Sequence, residues 1–245
     1  MASSTERDRN PTKNPSDTAN GIGLKTEGAL AAIITHLDDL SGERPSARLT
    51  EGKTDRTKQT IKKILTAARD IFTRDGHAGL SLRKVADHAG IAVGNLTYHF
   101  ATKNELLDAM LREALADFVE AHLEQFQPDK DAPIDILLNV VEFYVRDART
   151  NYGFFFQLWG FAGSNDEARA KVRELYLPIG RFIFYLVRAA NPKLSEDEIR
   201  QAVLQIFSLE EGYKLFIGMG PDNASAIRSA EQDIRSLTRR IVQLA

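Results

Sequence analysis

The sequence predicts an all-α protein, because apolar residues recur every three or four positions along most of the chain. Signals for helix starts stand between these segments: Ser or Thr precedes Glu by three positions at Thr102, Ser164 and Ser195. Gly marks helix ends, for example at Gly76 and Gly90. No segment shows the strict alternation of apolar and polar residues that is typical of a strand.

The composition excludes several classes of protein. The 245 residues are 43% hydrophobic, enough for the core of a globular protein with one or two domains. The absence of Cys excludes a disulfide framework and a thiolate metal site. The longest apolar run near the amino terminus, Ala29–Ile34, is too short for a signal peptide or a membrane span. We therefore expect a soluble cytoplasmic protein, without membrane association and without a metal or other cofactor.

Two short helices joined by a tight turn are predicted between Ser81 and Phe100. The hydroxyl of Ser81 can cap the first helix, and Gly90 can end it in a left-handed conformation. The second helix, residues 93–100, turns Leu96 and Phe100 inward and leaves a polar, nearly uncharged face outward. Such a face suits the base edges of a major groove, and the pattern is that of a helix-turn-helix.

Residues on both sides of this stretch extend the pattern. The residues that carry it are Ala67, Ala68, Phe72, Gly76, the runs 81–86, 89–91 and 96–100, Lys103, Leu106 and Leu107. With these residues the chain resembles the TetR family of transcriptional regulators. The resemblance covers residues 58–111 and implies a three-helix DNA-binding domain, residues 54–102, on a helical effector-binding and dimerisation domain, residues 103–245. Ala92 departs from the family pattern because it replaces a Ser or Thr cap, and Thr97 replaces a Tyr.

The outward positions and the family pattern together predict the DNA contacts. From Lys53 to Lys103, 10 Lys and Arg stand against 4 Asp and Glu, a net charge of +6, whereas the remainder carries −8. On its own this asymmetry is equally compatible with an ordinary solvated surface, but beside a helix-turn-helix it favours phosphate binding. We expect base contacts from Arg83, Gly94, Asn95, Tyr98 and His99, and phosphate contacts from Ser81, Thr97 and Lys103.

Residues 1–53 form a predicted disordered extension with one short amphipathic helix. Residues 1–28 are rich in Ser, Thr, Asn, Pro and Gly and lack apolar periodicity. Apolar residues between Leu30 and Leu40 predict the helix, which we expect to dock on the rest of the chain rather than on another protein. The basic residues that follow fit an exposed linker, or an arm that touches DNA. They are Arg44, Arg48, Lys53, Arg56 and Lys58.

Aromatic residues are concentrated in the middle of the second domain. Of the 20 in the chain, 12 fall between Phe143 and Tyr185. Core packing explains most of them, but rings interleaved with Gly also line small-molecule sites. Because the resemblance implies an effector-binding body, we predict a pocket for an unknown small molecule, largely apolar or aromatic. Its predicted lining residues are Phe143, Arg146, Phe155, Gln157, Trp159, Tyr176 and Phe182.

The last two long helices carry apolar stripes at helical spacing. Pairs of such helices from two subunits can form a four-helix interface, although both could instead pack on their own body. Because a two-fold operator requires a two-fold protein, we predict a homodimer. The predicted interface residues are Ile206, Tyr213, Ile227, Ile234, Leu237 and Ile241.

These observations predict a sequence-specific transcriptional regulator, most often a repressor in the family it resembles, released from a palindromic double-stranded DNA operator by the effector. One alternative is a DNA-binding dimer without a small-molecule effector, controlled by a protein partner or acting architecturally. Another is a helical enzyme with a vestigial DNA-binding domain. The sequence contains no HExxH, GxSxG or phosphate-loop motif, so we expect no enzymatic activity.

Overall fold

The computed structural model describes Leu49 and residues 54–123, 131–221 and 225–244. The predicted all-α class is confirmed, and no strand occurs in these ranges. The helix expected between Leu30 and Leu40 lies outside them. Arg56 and Lys58, expected in a linker or arm, belong instead to the first helix, which begins at Asp55.

The helices of the described ranges are α1 (Asp55–Gly79), α2 (Leu82–Ala89), α3 (Val93–His99), α4 (Lys103–Leu123), α5 (Pro133–Ala162), α6 (Asp166–Ala190), α7 (Glu196–Met219), α8 (Ser225–Arg228) and α9 (Ala230–Leu244).

Helices α1, α2 and α3, here called the head, pack around one apolar core that includes the fully buried Phe72 and Leu96. Helix α2 begins after Ser81, whose Oγ accepts a hydrogen bond from Lys84 N at 3.3 Å. It ends at Gly90, which has a left-handed φ of 66°. The predicted start and end of this helix are therefore confirmed.

Helix α3 has no side-chain cap, since Ala92 makes no capping hydrogen bond. Leu96 within the helix and Phe100 just after it are buried in the head core instead. Burial of one such side chain contributes about 1.5–3 kcal/mol, whereas a polar cap contributes about 1 kcal/mol. Packing on the head core therefore compensates for the missing cap.

The body, helices α4 to α9, is built around α5. This helix contacts α6, α7 and α9, and it also contacts α1 of the head. Leu137, Val141 and Val145 are four residues apart and fully buried in the body core, so they form one inward stripe along α5. Farther along α5, Leu158 and Phe161 belong to the head core. Helix α5 therefore joins the two cores.

Helix starts in the body follow the predicted signals with one exception. The capping box at Ser195 is confirmed. At the start of α6, however, Asn165 Oδ1 accepts a hydrogen bond from Ala168 N at 2.9 Å. The predicted cap at Ser164 is wrong, because its hydroxyl donates to Phe161 O at 2.7 Å and so closes the preceding helix.

Candidate nucleic-acid interface and ligand cavity

The outward face of α3 is polar and open to solvent. Gly94 and Asn95 are exposed, and Tyr98 is 79% exposed. The ring of His99 lies edge-on to the Tyr98 ring, with 5.0 Å between ring centroids. Leu96 is fully buried on the opposite side and fixes the rotation of the helix. The face thus offers amide, hydroxyl and imidazole groups that can hydrogen-bond to base edges.

The other predicted DNA contacts surround this face. Arg83 is exposed on α2, whereas Ser81 and Thr97 are half-buried. The Ser81 hydroxyl accepts a hydrogen bond in its cap and keeps its proton for a phosphate. Thr97 Oγ1 already donates its proton to Gly94 O at 3.2 Å, so a bond to a phosphate would have to replace this one. The assignments of these residues stay predictions.

Lys103, a predicted phosphate contact, lies at the junction between head and body. Its Nζ donates a hydrogen bond to His77 O at 2.6 Å, near the end of α1. Burial lowers the pKa of Lys103. Burial also lowers the pKa of His77, and the positive charge of Lys103 lowers it further. An ammonium group has three N–H donors, so two remain for a DNA phosphate. Lys103 can therefore join the end of α1 to a phosphate at the start of α4.

The end of α1 is also held from the body side. The His77 ring packs on the Phe161 ring of α5, with 4.8 Å between centroids. Gly76 has φ 69° and ψ −175°, a backbone conformation that is nearly restricted to Gly. A Cβ at Gly76 would also collide with Oε1 of Gln157. This segment therefore couples the position of the head to α5.

Gly76→Ala should lower the free energy of unfolding by about 2–3 kcal/mol, because it combines backbone strain with displacement of Gln157. Gly180→Ala is the matched control, since Gly180 lies within α6 and its Cβ would meet no described atom within 4 Å. The control should raise stability by about 0.5–1 kcal/mol. Urea unfolding of both variants checks the pair, and equal effects would contradict the strain at Gly76.

A cavity of about 140 Å³ lies between α1, α4, α5, α6 and α7. Aromatic rings form much of its wall, and two of them, Phe118 and Tyr144, stack with 4.7 Å between centroids. Its aromatic and charged lining residues are Phe118, Phe143, Tyr144, Phe154, Phe155, Tyr176, Phe207, Arg69, Asp117, Asp147, Glu210, Glu211 and Lys214. An apolar cavity with a few convergent polar groups is the usual form of a small-molecule site.

A buried ion cluster on α7 forms part of the cavity wall. The Lys214 ammonium lies 2.6 Å from Glu210 Oε1 and 3.3 Å from Glu211 Oε1. Glu210 and Lys214 are 1% and 3% exposed. Burial raises the Glu210 pKa to about 7, although the nearby Lys214 charge opposes the rise. The two carboxylates hold the Lys214 pKa above its ordinary value against the effect of burial. The cluster therefore keeps Lys214 charged inside an apolar wall.

Three of the predicted effector residues, Phe143, Phe155 and Tyr176, line this cavity. The other four do not. Arg146 pairs with Glu142, Gln157 lies against Gly76, and Phe182 is buried in the body core. Trp159 Nε1 donates a hydrogen bond to Tyr176 Oη at 3.1 Å and so fixes the side chain of Tyr176, which lines the cavity. These four side chains do not reach the cavity, because Arg146, Gln157 and Trp159 face away from it on α5. Phe182 belongs to α6 and packs into the body core.

The ion cluster was not predicted from the sequence, although the sequence contains a signal for it. Ile206, Glu210 and Lys214 are four residues apart, and the first of them is fully buried. Helical spacing therefore places a carboxylate and an ammonium on the inward face of α7, where apolar residues are expected. Charges at such positions mark either a structural ion pair or a functional site.

Two predicted interface residues are wrong. Ile206 and Ile234 are fully buried in the body core of their own chain, so they have no surface to offer a partner. The other four, Tyr213, Ile227, Leu237 and Ile241, are partly buried. The apolar side chains that α7 exposes are instead Leu204, Leu215, Phe216 and Met219.

Residues 64–110, which include α2 and α3, match the family model described as bacterial regulatory proteins, tetR family. Over these residues the chain is similar to the TetR family. The HTH-type transcriptional regulator RutR of Escherichia coli (strain K12) is 41% identical over 81 residues. That match covers 33% of this chain and 38% of RutR, so the chain spans less than half the length of this curated relative.

Solved structures share the fold of this chain. Salmonella enterica GusR has a TM-score of 0.62 at 17% identity, over 78% of this chain and 98% of GusR. FadR from Bacillus subtilis, solved in complex with stearoyl-CoA, has a TM-score of 0.57 at 19% identity, over 75% and 96% of the two chains. At these identities the likeness concerns the fold alone.

The part of the chain that the structure describes contains no group of three or more His, Asp or Glu placed to hold a metal ion. None of its helices combines the length and the apolar character that crossing a bilayer requires.

Proposed function

We propose that this protein is a DNA-binding transcriptional regulator of the TetR family, a homodimeric repressor that acts in the cytoplasm on a palindromic operator. Residues 54–102 are its DNA-binding domain, and residues 103–245 bind the effector and the second subunit. The observation that carries the proposal is the exposed face of α3, where Asn95 and Tyr98 project from a helix fixed by the buried Leu96. A net charge of +6 over residues 53–103 supports phosphate binding around that face.

In the proposed complex, two copies of α3 enter successive major grooves about 34–36 Å apart. Asn95 and Tyr98 read base edges, and Arg83, Gly94 and His99 approach them from the same side. Ser81, Thr97 and Lys103 hold the flanking phosphates, which fix the register without reading the sequence. Base contacts should therefore control discrimination between sites, whereas phosphate contacts should control affinity for any duplex.

Tyr98→Ala should reduce discrimination between the operator and random duplex by about 1–3 kcal/mol, the value of one good base contact. Lys103→Ala should weaken binding to both duplexes alike and reduce the salt slope by about 1. The operator is first selected from a random duplex pool with the wild-type protein, and affinities are then measured across a salt series. Lys193→Ala, a surface change in the turn before α7, is the matched control. Equal loss of discrimination in both variants would contradict the proposed division of contacts.

The cavity supports the ligand-responsive part of the proposal. Arg69 of α1 and Asp117 of α4 both line it, and their side chains pair at 3.4 Å. A molecule in the cavity therefore contacts a helix of the head and the helix that joins head to body. The Bacillus subtilis FadR structure with stearoyl-CoA shows a similar fold with a bound small molecule. We infer that an effector moves α4 and spreads the two heads beyond the operator spacing.

Such a response requires unequal binding to the two states. An effector that binds the spread and the DNA-competent conformations equally would shift nothing, however tightly it binds. The Arg69–Asp117 ion pair connects α1 of the head with α4 of the body. We expect this pair to change when the heads spread, so an effector that contacts it binds the two states unequally. If a crystal soaked with candidate ligands shows the cavity filled by side chains of the protein, the proposed effector is rejected. The alternative, a DNA-binding dimer without a small-molecule effector, then remains.

A further inference from the structure

The cavity wall carries more negative than positive groups. Arg69 pairs with Asp117 at 3.4 Å, and Lys214 pairs with Glu210 at 2.6 Å. Two more carboxylates complete the charged lining, those of Asp147 and Glu211. The cavity therefore holds four carboxylates against one guanidinium and one ammonium group.

Two carboxylate oxygens in this wall lack a hydrogen-bond donor. Oε2 of Glu210 and Oε2 of Glu211 are buried, and neither accepts a hydrogen bond from any residue that the structure describes. A buried acceptor without a donor costs free energy, and such groups are rare in native proteins. The nearest cation, Lys214, already lies between their Oε1 atoms. The free oxygens therefore leave room for a second donor in the cavity.

The aromatic part of the wall already holds cations. Lys214 Nζ lies 4.3 Å from the centroid of the Phe155 ring and 5.5 Å from that of Tyr144. The guanidinium carbon of Arg69 lies 5.4 Å from the centroid of the Phe154 ring. Attraction between a cation and a ring face strengthens when water is excluded. These rings provide the environment in which a small organic cation is stable.

We propose that the cavity binds an organic cation, a protonated amine on an aromatic or other apolar body. Glu210 and Glu211 accept its N–H groups through their Oε2 atoms, and the rings enclose its apolar part. An anion could approach Lys214 but would face the excess of carboxylates at close range. The volume of about 140 Å³ suits about one aromatic ring with a short chain. The inference rests on the proposed ligand-responsive function and adds the chemical class of the effector.

The cation also has a physical route to the head. Arg69 belongs to α1, and its charge interacts with Asp147 as well as with Asp117. An ammonium group that enters beside these carboxylates repels the guanidinium and competes for its partners. Binding therefore weakens the Arg69–Asp117 link between α1 and α4 and favours the spread state.

Three compounds with one ring and different charges test the inference: 2-phenylethylamine, 2-phenylethanol and phenylacetate. Calorimetric titration of the full chain at pH 7.5 should give at least about tenfold tighter binding for the amine than for either other compound, since a hydrogen bond to a charged group contributes about 1.5–3 kcal/mol. Glu211→Gln should reduce this preference to below about threefold. Glu174→Gln, on an exposed part of α6 that does not line the cavity, should keep it.

Each outcome decides the inference. Equal binding of the alcohol, tighter binding of the acid, or an amine preference that survives Glu211→Gln would overturn it. If circular dichroism shows that Glu211→Gln is unfolded, Glu210→Gln replaces it, with the same expected loss. If the cavity binds none of the three compounds, the proposed cation binding and the proposed ligand response are both rejected. Operator affinity of the same wild-type sample then tests the DNA-binding function separately.

Discussion

Leu204→Glu combined with Met219→Glu should convert the proposed homodimer into a monomer and weaken operator binding by about a hundredfold or more. Both side chains are 68% exposed in the single chain. Leu204, Leu215 and Met219 are 11 and 4 residues apart, so they lie on one face of α7. Two charges placed there would have to be buried without partners on association, which is costly. Loss of the link between two half-site contacts removes an advantage of about 10²–10⁴.

Sedimentation velocity measures the association state, and titration with the selected operator duplex measures the affinity. Leu177→Glu is the matched control, because Leu177 is an exposed leucine on a different helix, α6. The control should remain dimeric and bind the operator as the wild type does. A double variant that still sediments as a dimer would place the interface on another surface.

Lys214→Met should lower the free energy of unfolding at pH 8 by about 3–5 kcal/mol, the cost of breaking a buried ion pair from one side. The substitution keeps much of the side-chain volume and leaves Glu210, which is 1% exposed, without its ammonium partner. Glu211 lies in the same cluster and adds to the repulsion. Removing both charges in Lys214→Met/Glu210→Gln should recover most of the lost stability, because the fully buried carboxylate is then gone and only the more exposed Glu211 has lost its partner.

The loss should depend on pH with a defined sign. In the wild type, burial raises the Glu210 pKa to about 7 from an ordinary value of 4.5. A group with a raised pKa stabilises the fold below its unfolded pKa, and this contribution disappears as pH rises through the folded pKa. Without Lys214 the Glu210 pKa should rise further, so the Lys214→Met penalty should shrink from pH 8 to pH 5.5. Urea unfolding at both pH values checks this, and a constant penalty would show that Glu210 does not titrate there.

Much of the head could be predicted because local rules decide it. The cap at Ser81 and the left-handed turn at Gly90 depend on residues within one helical turn. The burial of Leu96 and Phe100 follows from their spacing on a short helix. These neighbours in sequence are also neighbours in space, so the pattern and the structure agree.

The cavity was predicted only in part, since it depends on how distant helices face one another. Aromatic enrichment pointed to the correct helices, and Phe155 and Tyr176 do line the cavity. The same enrichment could not separate Phe155 from Trp159, whose indole N–H is used on Tyr176 Oη. Rotation of α5 against α6 and α7 decides which rings reach the gap, and composition carries no information about that rotation.

The sequence by itself determined the all-α class, the helix-turn-helix and the residues that α3 exposes, because periodicity and capping act over a few positions. Only the tertiary structure decided which apolar positions of α7 are core and which are free: Ile206 packs inward, whereas Leu204 remains open. It also placed Glu210 and Lys214 in the wall of the cavity. The role of a charged pair on an apolar stripe cannot be inferred until its surroundings are known. Burial by other helices determines the pKa values of the two groups, their partners and the free-energy cost of burying them.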